Sequence, residues 1–312
     1  MMAYQAPALL AGSHLETIYP ALFRKVNGIA YERERITTPD HDFLDLDWLK
    51  QGAAKLVIIS HGLEGNSDRA YVRGMARIFY QHGYDALAWN YRGCSGEINR
   101  KIRFYHSGAT DDLDFIVRHA ASFGYTEINL VGFSLGGNLT LKYLGEKSET
   151  LHSTIQKAVA FSVPLNLKTS CDKISMRSNW IYSQRFLKSL KKKVAEKANV
   201  FSEIDPTPLT RITSLLEFDD VYTAPLHGFK NALDYYEQSS SLRFLHRIKR
   251  PTLIVNAKND PFLSPECYPV ESQFPHLTFE YPTRGGHVGF ALFNENGLYW
   301  SELRALHFIQ QL

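Results

Sequence analysis

Short apolar runs alternate with segments of helical period along most of the chain. Residues 31–37 and 43–49 roughly alternate apolar and polar positions and predict an opening pair of strands. The run Lys55-Leu-Val-Ile-Ile-Ser60 has no polar residue between its ends, the pattern of a parallel strand covered on both faces. A helix is predicted over 70–82, closed by Gly83. A strand over 85–90 and a helix over 110–123 follow, with Asp111 and Asp112 in the first turn, where the helix dipole favours them. Further strands are expected at 128–133, 155–163, 251–257 and 277–281, with a helix at 135–144. This alternation predicts an α/β fold: a mainly parallel central sheet, right-handed crossovers and flanking helices. Between Pro164 and about Pro225 the alternation lapses into a basic, helix-like stretch. We read residues 1–312 as a single domain with a helical cap inserted at about 165–225, over the strand ends where open α/β sheets place ligands.

Gly132-Phe-Ser134-Leu-Gly136 matches G-x-S-x-G. Chance alone gives about 0.1 such matches in a chain this long, so the context carries the weight: a strand signal at Ile128–Val131 and a helical pattern from Leu135. A serine on a sharp strand-to-helix turn needs neighbours without Cβ atoms, which Gly132, Gly136 and Gly137 supply. The helix that follows aims its N-terminus at the site, where it favours developing negative charge. Ser134 is therefore the candidate nucleophile. The bland alternative is a Gly/Ser connector.

A serine hydroxyl needs a base. Around such a turn the acid and then the base follow the nucleophile in chain order. His287, in Gly285-Gly286-His287 just past the last predicted strand, is the candidate base. Its nearest rival, His276, precedes that strand. Asp260, in Asn259-Asp260-Pro261 after the strand at 251–257, is the candidate acid, and an Asp before Pro is otherwise a common turn former. Asp219 and Asp220 are rivals that fall in or near the insertion. An acyl-transfer site also needs donors for an oxyanion. The backbone N–H of Leu135, next after the nucleophile, and that of Leu63, in His61-Gly-Leu-Glu-Gly65, are the candidates.

Composition removes other classes. The 35 basic and 32 acidic residues give a net charge of +3, too balanced for nucleic acid as the main partner. The three cysteines, Cys94, Cys171 and Cys267, have no metal-ligand spacing, so no metal and no organic cofactor is expected. They read as free thiols of a reducing, cytoplasmic setting. No signal peptide and no apolar run of spanning length is visible. Phe186–Lys197 (FLKSLKKKVAEK) predicts a basic amphipathic cap helix, either a solvated face or a weak peripheral membrane contact. Asn138-Leu-Thr140 matches a glycosylation sequon but falls on a helix expected to be buried.

Together these pieces resemble the α/β-hydrolase superfamily, and within it the YheT-like hydrolases, which include plant embryogenesis-associated and vertebrate abhydrolase-domain proteins. The matching strings are His14-Leu-Glu-Thr17, His61–Gly65, Tyr91-Arg-Gly-Cys-Ser-Gly-Glu97, Tyr105-His-Ser-Gly-Ala-Thr-Asp111, Gly132–Gly137, Phe218-Asp-Asp220 with Thr223-Ala-Pro225, Asn259-Asp-Pro-Phe262 and Gly285-Gly-His-Val-Gly-Phe290. They run across nearly the whole chain. The resemblance implies an α/β-hydrolase fold with a Ser134, Asp260, His287 triad. The family usually has Gln where Glu16 stands, a position expected to be structural, and often Asp where Asn259 stands, so Asp260 alone can serve as acid here. The implied activity is hydrolysis of carboxylic esters through an acyl-enzyme, on a small-molecule or medium- to long-chain lipid ester. Acyl transfer to an alcohol, thioester cleavage and a non-catalytic binding protein are the alternatives.

Overall fold

The computed structural model describes residues 3–270 and 274–311. Eight strands form one sheet: β1 (Glu32–Thr37), β2 (Phe43–Leu49), β3 (Lys55–Ser60), β4 (Asp85–Asn90), β5 (Glu127–Phe133), β6 (Ile155–Phe161), β7 (Thr252–Val255) and β8 (Leu277–Glu280). Their spatial order is β1-β2-β4-β3-β5-β6-β7-β8. The β1–β2 and β2–β4 pairings are antiparallel and all others are parallel. The predicted strands are all present, within a few residues of their expected ends.

Strand β3 explains its own sequence. Leu56 and Ile58 pack into one core cluster, and Val57 and Ile59 into another on the opposite face. Side chains alternate across a strand, so a strand covered on both faces must be apolar at every position. Each such side chain contributes roughly 1.5–3 kcal/mol on burial. Helices α2 (Ala70–Gln81) and α10 (Trp300–Gln310) cover one face; α3 (Thr110–Ala121) and α4 (Leu135–Lys147) cover the other. A further helix, α1 (Ser13–Phe23), precedes the sheet. Neither α1 nor α10 is evident from the apolar pattern. Helix α1 carries Pro20 in its interior, and α10 starts from a capping box made by Tyr299 and Glu302 rather than by Ser, Thr, Asp or Asn.

Between β6 and β7 the chain is helical: α5 (Leu167–Ile174), α6 (Trp180–Ala198), α7 (Leu215–Phe218), α8 (Ala224–Leu226), α9 (Ala232–Ser239) and a 3₁₀ stretch over Ser241–Arg247. These pieces share an apolar cluster of their own, which includes Leu187, Val194, Phe218 and Tyr236. Helical structure thus continues well past Pro225. Asn138 joins this layer to α4: its side-chain amide donates to the Ser107 and Ser239 carbonyls and accepts from the Ser241 N–H. Asn138 is thus buried, as expected for that helix.

Candidate active site

The sheet delivers its loops to one end. Ser134 follows β5, His61–Gly65 follows β3, Asn259–Asp260 follows β7 and His287 follows β8. Ser134 has φ 53° and ψ −119°, a conformation strained for a residue with a Cβ. Its surroundings enforce that turn. A Cβ on Gly132 would strike the Gly136 carbonyl, one on Gly136 would strike the Ser60 carbonyl, and one on Gly137 would meet Val163. The Ser134 N–H donates to the Phe161 carbonyl at 2.9 Å, which pins the turn to β6.

The structure brings Ser134, His287 and Asp260 together. Ser134 Oγ lies 2.9 Å from His287 Nε2, and His287 Nδ1 lies 2.8 Å from Asp260 Oδ2. A carboxylate only accepts, so Nδ1 carries the proton and donates, leaving Nε2 to accept from the serine hydroxyl. The Asp260 side chain is fully enclosed, and its other oxygen accepts from the Phe262 N–H at 2.9 Å. The Phe262 ring packs on the imidazole, with centroids 4.3 Å apart. The rivals stand elsewhere or do other work. The His276 carbonyl accepts from Thr252 N at the far end of β7. Asp220 accepts from the Ala232 N–H. Asp219 lies in the cap.

Leu63 and Leu135 border the same cavity as Ser134. The loop carrying Leu63 crosses directly over Ser134, since a Cβ on Gly62 would sit 3.2 Å from the Ser134 Cβ. Tyr71 accepts from the Gly62 N–H at 2.9 Å, and Tyr105 accepts from the Glu64 N–H at 2.9 Å. The cavity is about 140 Å³, partly open, and cap residues line it, among them Leu167, Ile174, Phe186 and Leu190.

Two buried glutamates hold these loops, and neither stood out as functional in the sequence. Glu16, on α1, accepts from Asn259 Nδ2 at 2.7 Å, from Arg284 Nε at 2.6 Å and from the Gly285 N–H at 2.8 Å. It thereby ties the loop of Asp260 to the loop of His287. Thr17 beside it accepts from the His287 N–H at 2.9 Å. Gly286, at φ 58°, presses against α1 so closely that a Cβ would meet Thr17 Oγ1 at 2.8 Å. Glu64 takes Lys193 of α6 at 2.7 Å and the Tyr105 hydroxyl at 2.7 Å on one oxygen, and Ser189 of α6 on the other. It ties the Leu63 loop to the cap.

Helix α6 therefore differs from a uniformly basic amphipathic helix. Lys193 is committed to Glu64, and Lys197 is buried against the carbonyls of Lys101, Ile102 and Arg103. Burial holds the Lys197 ammonium down at about 7. The outward face carries Ile181, Arg185, Lys188 and Lys192, beside exposed Trp180. Cys94 is buried, accepts from Lys193 at 3.1 Å, and is pushed up to about 11 by desolvation, so its thiol stays protonated. Cys94, Cys171 and Cys267 are all free. In the neighbouring loop Arg92 is clamped by Asp40, Asp42 and Asp112 at 2.7–2.9 Å, a structural anchor for the segment. Among the described residues no cluster of metal-ligating side chains occurs, and no helix is long and apolar enough to cross a membrane.

A strained serine on a strand-to-helix turn, backed by an imidazole and a carboxylate from the loops after β8 and β7 of a mainly parallel sheet, defines a class. The sequence profile of the alpha/beta hydrolase fold matches residues 55–292, and the chain belongs to that family. Within it the chain falls in the YheT-like group. YheT of Escherichia coli K12, named as a candidate esterase, is 35% identical over 286 residues, covering 89% of this chain and 84% of its own. A mouse protein named phospholipase ABHD3 is 29% identical, covering 84% of this chain and 67% of its own. Among solved structures, the Pyrococcus furiosus esterase Pf2001 superposes with a TM-score of 0.59 at 17% identity, over 92% of this chain and 97% of its own, a likeness of fold.

Proposed function

We propose that this protein is a serine hydrolase that cleaves carboxylic esters through an acyl-enzyme. The Ser134–His287–Asp260 hydrogen-bonded chain, set in a cavity at the strand ends, carries the reading. Relatives named as esterase and phospholipase support the ester class. In this reading Ser134 Oγ attacks the ester carbonyl while His287 Nε2 takes its proton. The N–H groups of Leu63 and Leu135 hold the oxyanion. Asp260 orients the imidazole and stabilises the imidazolium. His287 then protonates the leaving alcohol, and a water activated by the same nitrogen releases the acid. None of these steps calls for a metal or organic cofactor.

The cavity beside Ser134, about 140 Å³ and partly open, holds a compact group, and a long acyl chain would have to extend through its opening. An apolar cavity of about 150 Å³ takes up benzene. A series of nitrophenyl esters from acetate to palmitate tests both points. We expect activity to peak at short to medium acyl chains. Ser134→Ala should lose about 10⁴–10⁶ in kcat. Near wild-type turnover in that variant would end the assignment.

For a lipid ester, the outward face of α6 offers weak peripheral contact with a membrane. Trp180 and Ile181 are 62% and 68% exposed, and Arg185, Lys188 and Lys192 stand on the same helix. An apolar tip beside a basic stripe suits an anionic lipid surface.

A further inference from the structure

The cavity over Ser134 contains a carboxyl group that the reaction above does not use. Asp219 lines the same cavity as Ser134 and His287. It opens the π-helical turn Asp219–Thr223 between α7 and α8. Thr223 Oγ1 donates to one oxygen at 2.5 Å and the Tyr236 hydroxyl to the other at 2.6 Å. Both donors are neutral. A carboxylate has about four acceptor positions, so about two remain.

Several buried carboxylates are paired with a cation, whereas Asp85 is held by neutral donors alone, the Tyr125 hydroxyl and the Gln51 and Ala53 N–H groups. Glu16 faces Arg284, Glu64 faces Lys193, Asp112 faces Arg92 and Glu302 faces Arg24. Among the described residues no cationic side chain acts on Asp219. Desolvation raises its carboxyl to about 6, so it is ionised at neutral pH, though at a cost. A part-buried carboxylate that lines a cavity without a counter-ion is complementary to a ligand that brings the positive charge. Tyr235, Tyr236, Phe186 and Phe262 add aromatic walls to the same cavity. Aromatic walls are the surface to which alkylammonium groups bind.

We propose that Asp219, with Tyr235 and Tyr236, forms a cation subsite, and that the substrate carries an alkylammonium group. The proposal rests on the hydrolase reading for the word substrate, but the subsite itself is a matter of binding. It assigns Asp219 to recognition rather than to the triad. The subsite discriminates by charge, not by shape.

Choline and its neutral isostere 3,3-dimethyl-1-butanol have nearly the same shape and share a hydroxyl. Each is titrated into the full-length protein at pH 8 as an inhibitor of nitrophenyl butyrate hydrolysis, and in parallel by calorimetry. We expect choline to bind about tenfold more tightly than the alcohol, and Asp219→Asn to bring that ratio close to one. Equal or tighter binding of the neutral alcohol by the wild type overturns the subsite, whatever Asp219→Asn does. So does an unchanged ratio in a folded Asp219→Asn variant. Calorimetry needs no turnover, so the ratio decides the subsite even if no ester is cleaved. A failure of the hydrolase reading would appear separately, as absent hydrolysis.

Discussion

Glu16 and Glu64 do comparable jobs with different partners. Both are buried carboxylates that tie a loop of the sheet to an element outside it. Glu16 reaches from α1 and gathers Asn259, Arg284 and the Gly285 N–H, so the Asp260 and His287 loops are fixed from the body of the protein. Glu64 reaches from the Leu63 loop to Lys193 and Ser189 of α6, so the loop carrying a candidate oxyanion donor is fixed from the cap. The difference separates two kinds of disturbance. Damage to α1 should reach the imidazole and its acid. Movement of the cap should reach the oxyanion loop and the cavity, and leave the Ser134–His287–Asp260 chain in place.

Of the two clamps, the larger effect is expected at Glu16. Glu16→Ala leaves Arg284 and two loop donors without their common acceptor. Misplacement of a reacting group by about 1 Å can cost about 10²-fold, and we expect a loss of that order in kcat with little change in KM. Glu16→Gln keeps the shape and one acceptor and should restore most of the rate, which a purely stabilising role for the charge would not produce. Steady-state kinetics on a soluble nitrophenyl ester gives both numbers. A normal kcat in Glu16→Ala would erase the division between floor and cap.

A smaller effect is expected at Lys193. Lys193→Met leaves Glu64 enclosed without its cation. Breaking a fully buried pair costs about 3–5 kcal/mol; Lys193 is partly exposed, so about 2 kcal/mol is expected in urea denaturation. Adding Glu64→Gln should recover part of that loss, because the stranded charge is gone. If the double variant is no better than the sum of the single ones, the two residues do not act as a pair.

The smallest effect concerns the outer face of α6. Cosedimentation with vesicles of phosphatidylcholine plus phosphatidylglycerol should exceed that with phosphatidylcholine alone by a few-fold. The Trp180→Ser, Lys188→Glu, Lys192→Glu variant should lose the difference. Trp48, Trp89 and Trp300 are buried, so a blue shift of tryptophan emission on binding reports Trp180. No binding, or binding unaffected by the triple change, would remove the membrane from the account.

The strands and the loops after β3, β5, β7 and β8 were legible because their signals are local. An apolar run, a turn residue and the reactive side chain lie within a few positions of one another. Ser134, Asp260 and His287 could be nominated on that basis, and the structure sets them side by side. The clamps were not legible. Glu16 and Arg284 are 268 positions apart, and Glu64 and Lys193 are 129 apart. No periodicity marks a pair at that range. In the cap, the lysine-rich stretch read as one polar face because sequence cannot tell an exposed lysine from one whose ammonium is turned inward. Helical structure beyond Pro225 was missed for a related reason. It comes as short α and 3₁₀ pieces of three to eight residues, too brief to show a helical period.

The central claim is that Ser134 is a nucleophile activated by His287. A fluorophosphonate probe tests it without knowledge of the substrate. The folded protein is treated with the probe, digested, and the modified peptide located by mass spectrometry. The account predicts one adduct per chain, on Ser134, formed slowly or not at all in His287→Ala. An unlabelled Ser134 in folded protein, or labelling at equal rate without His287, would contradict it.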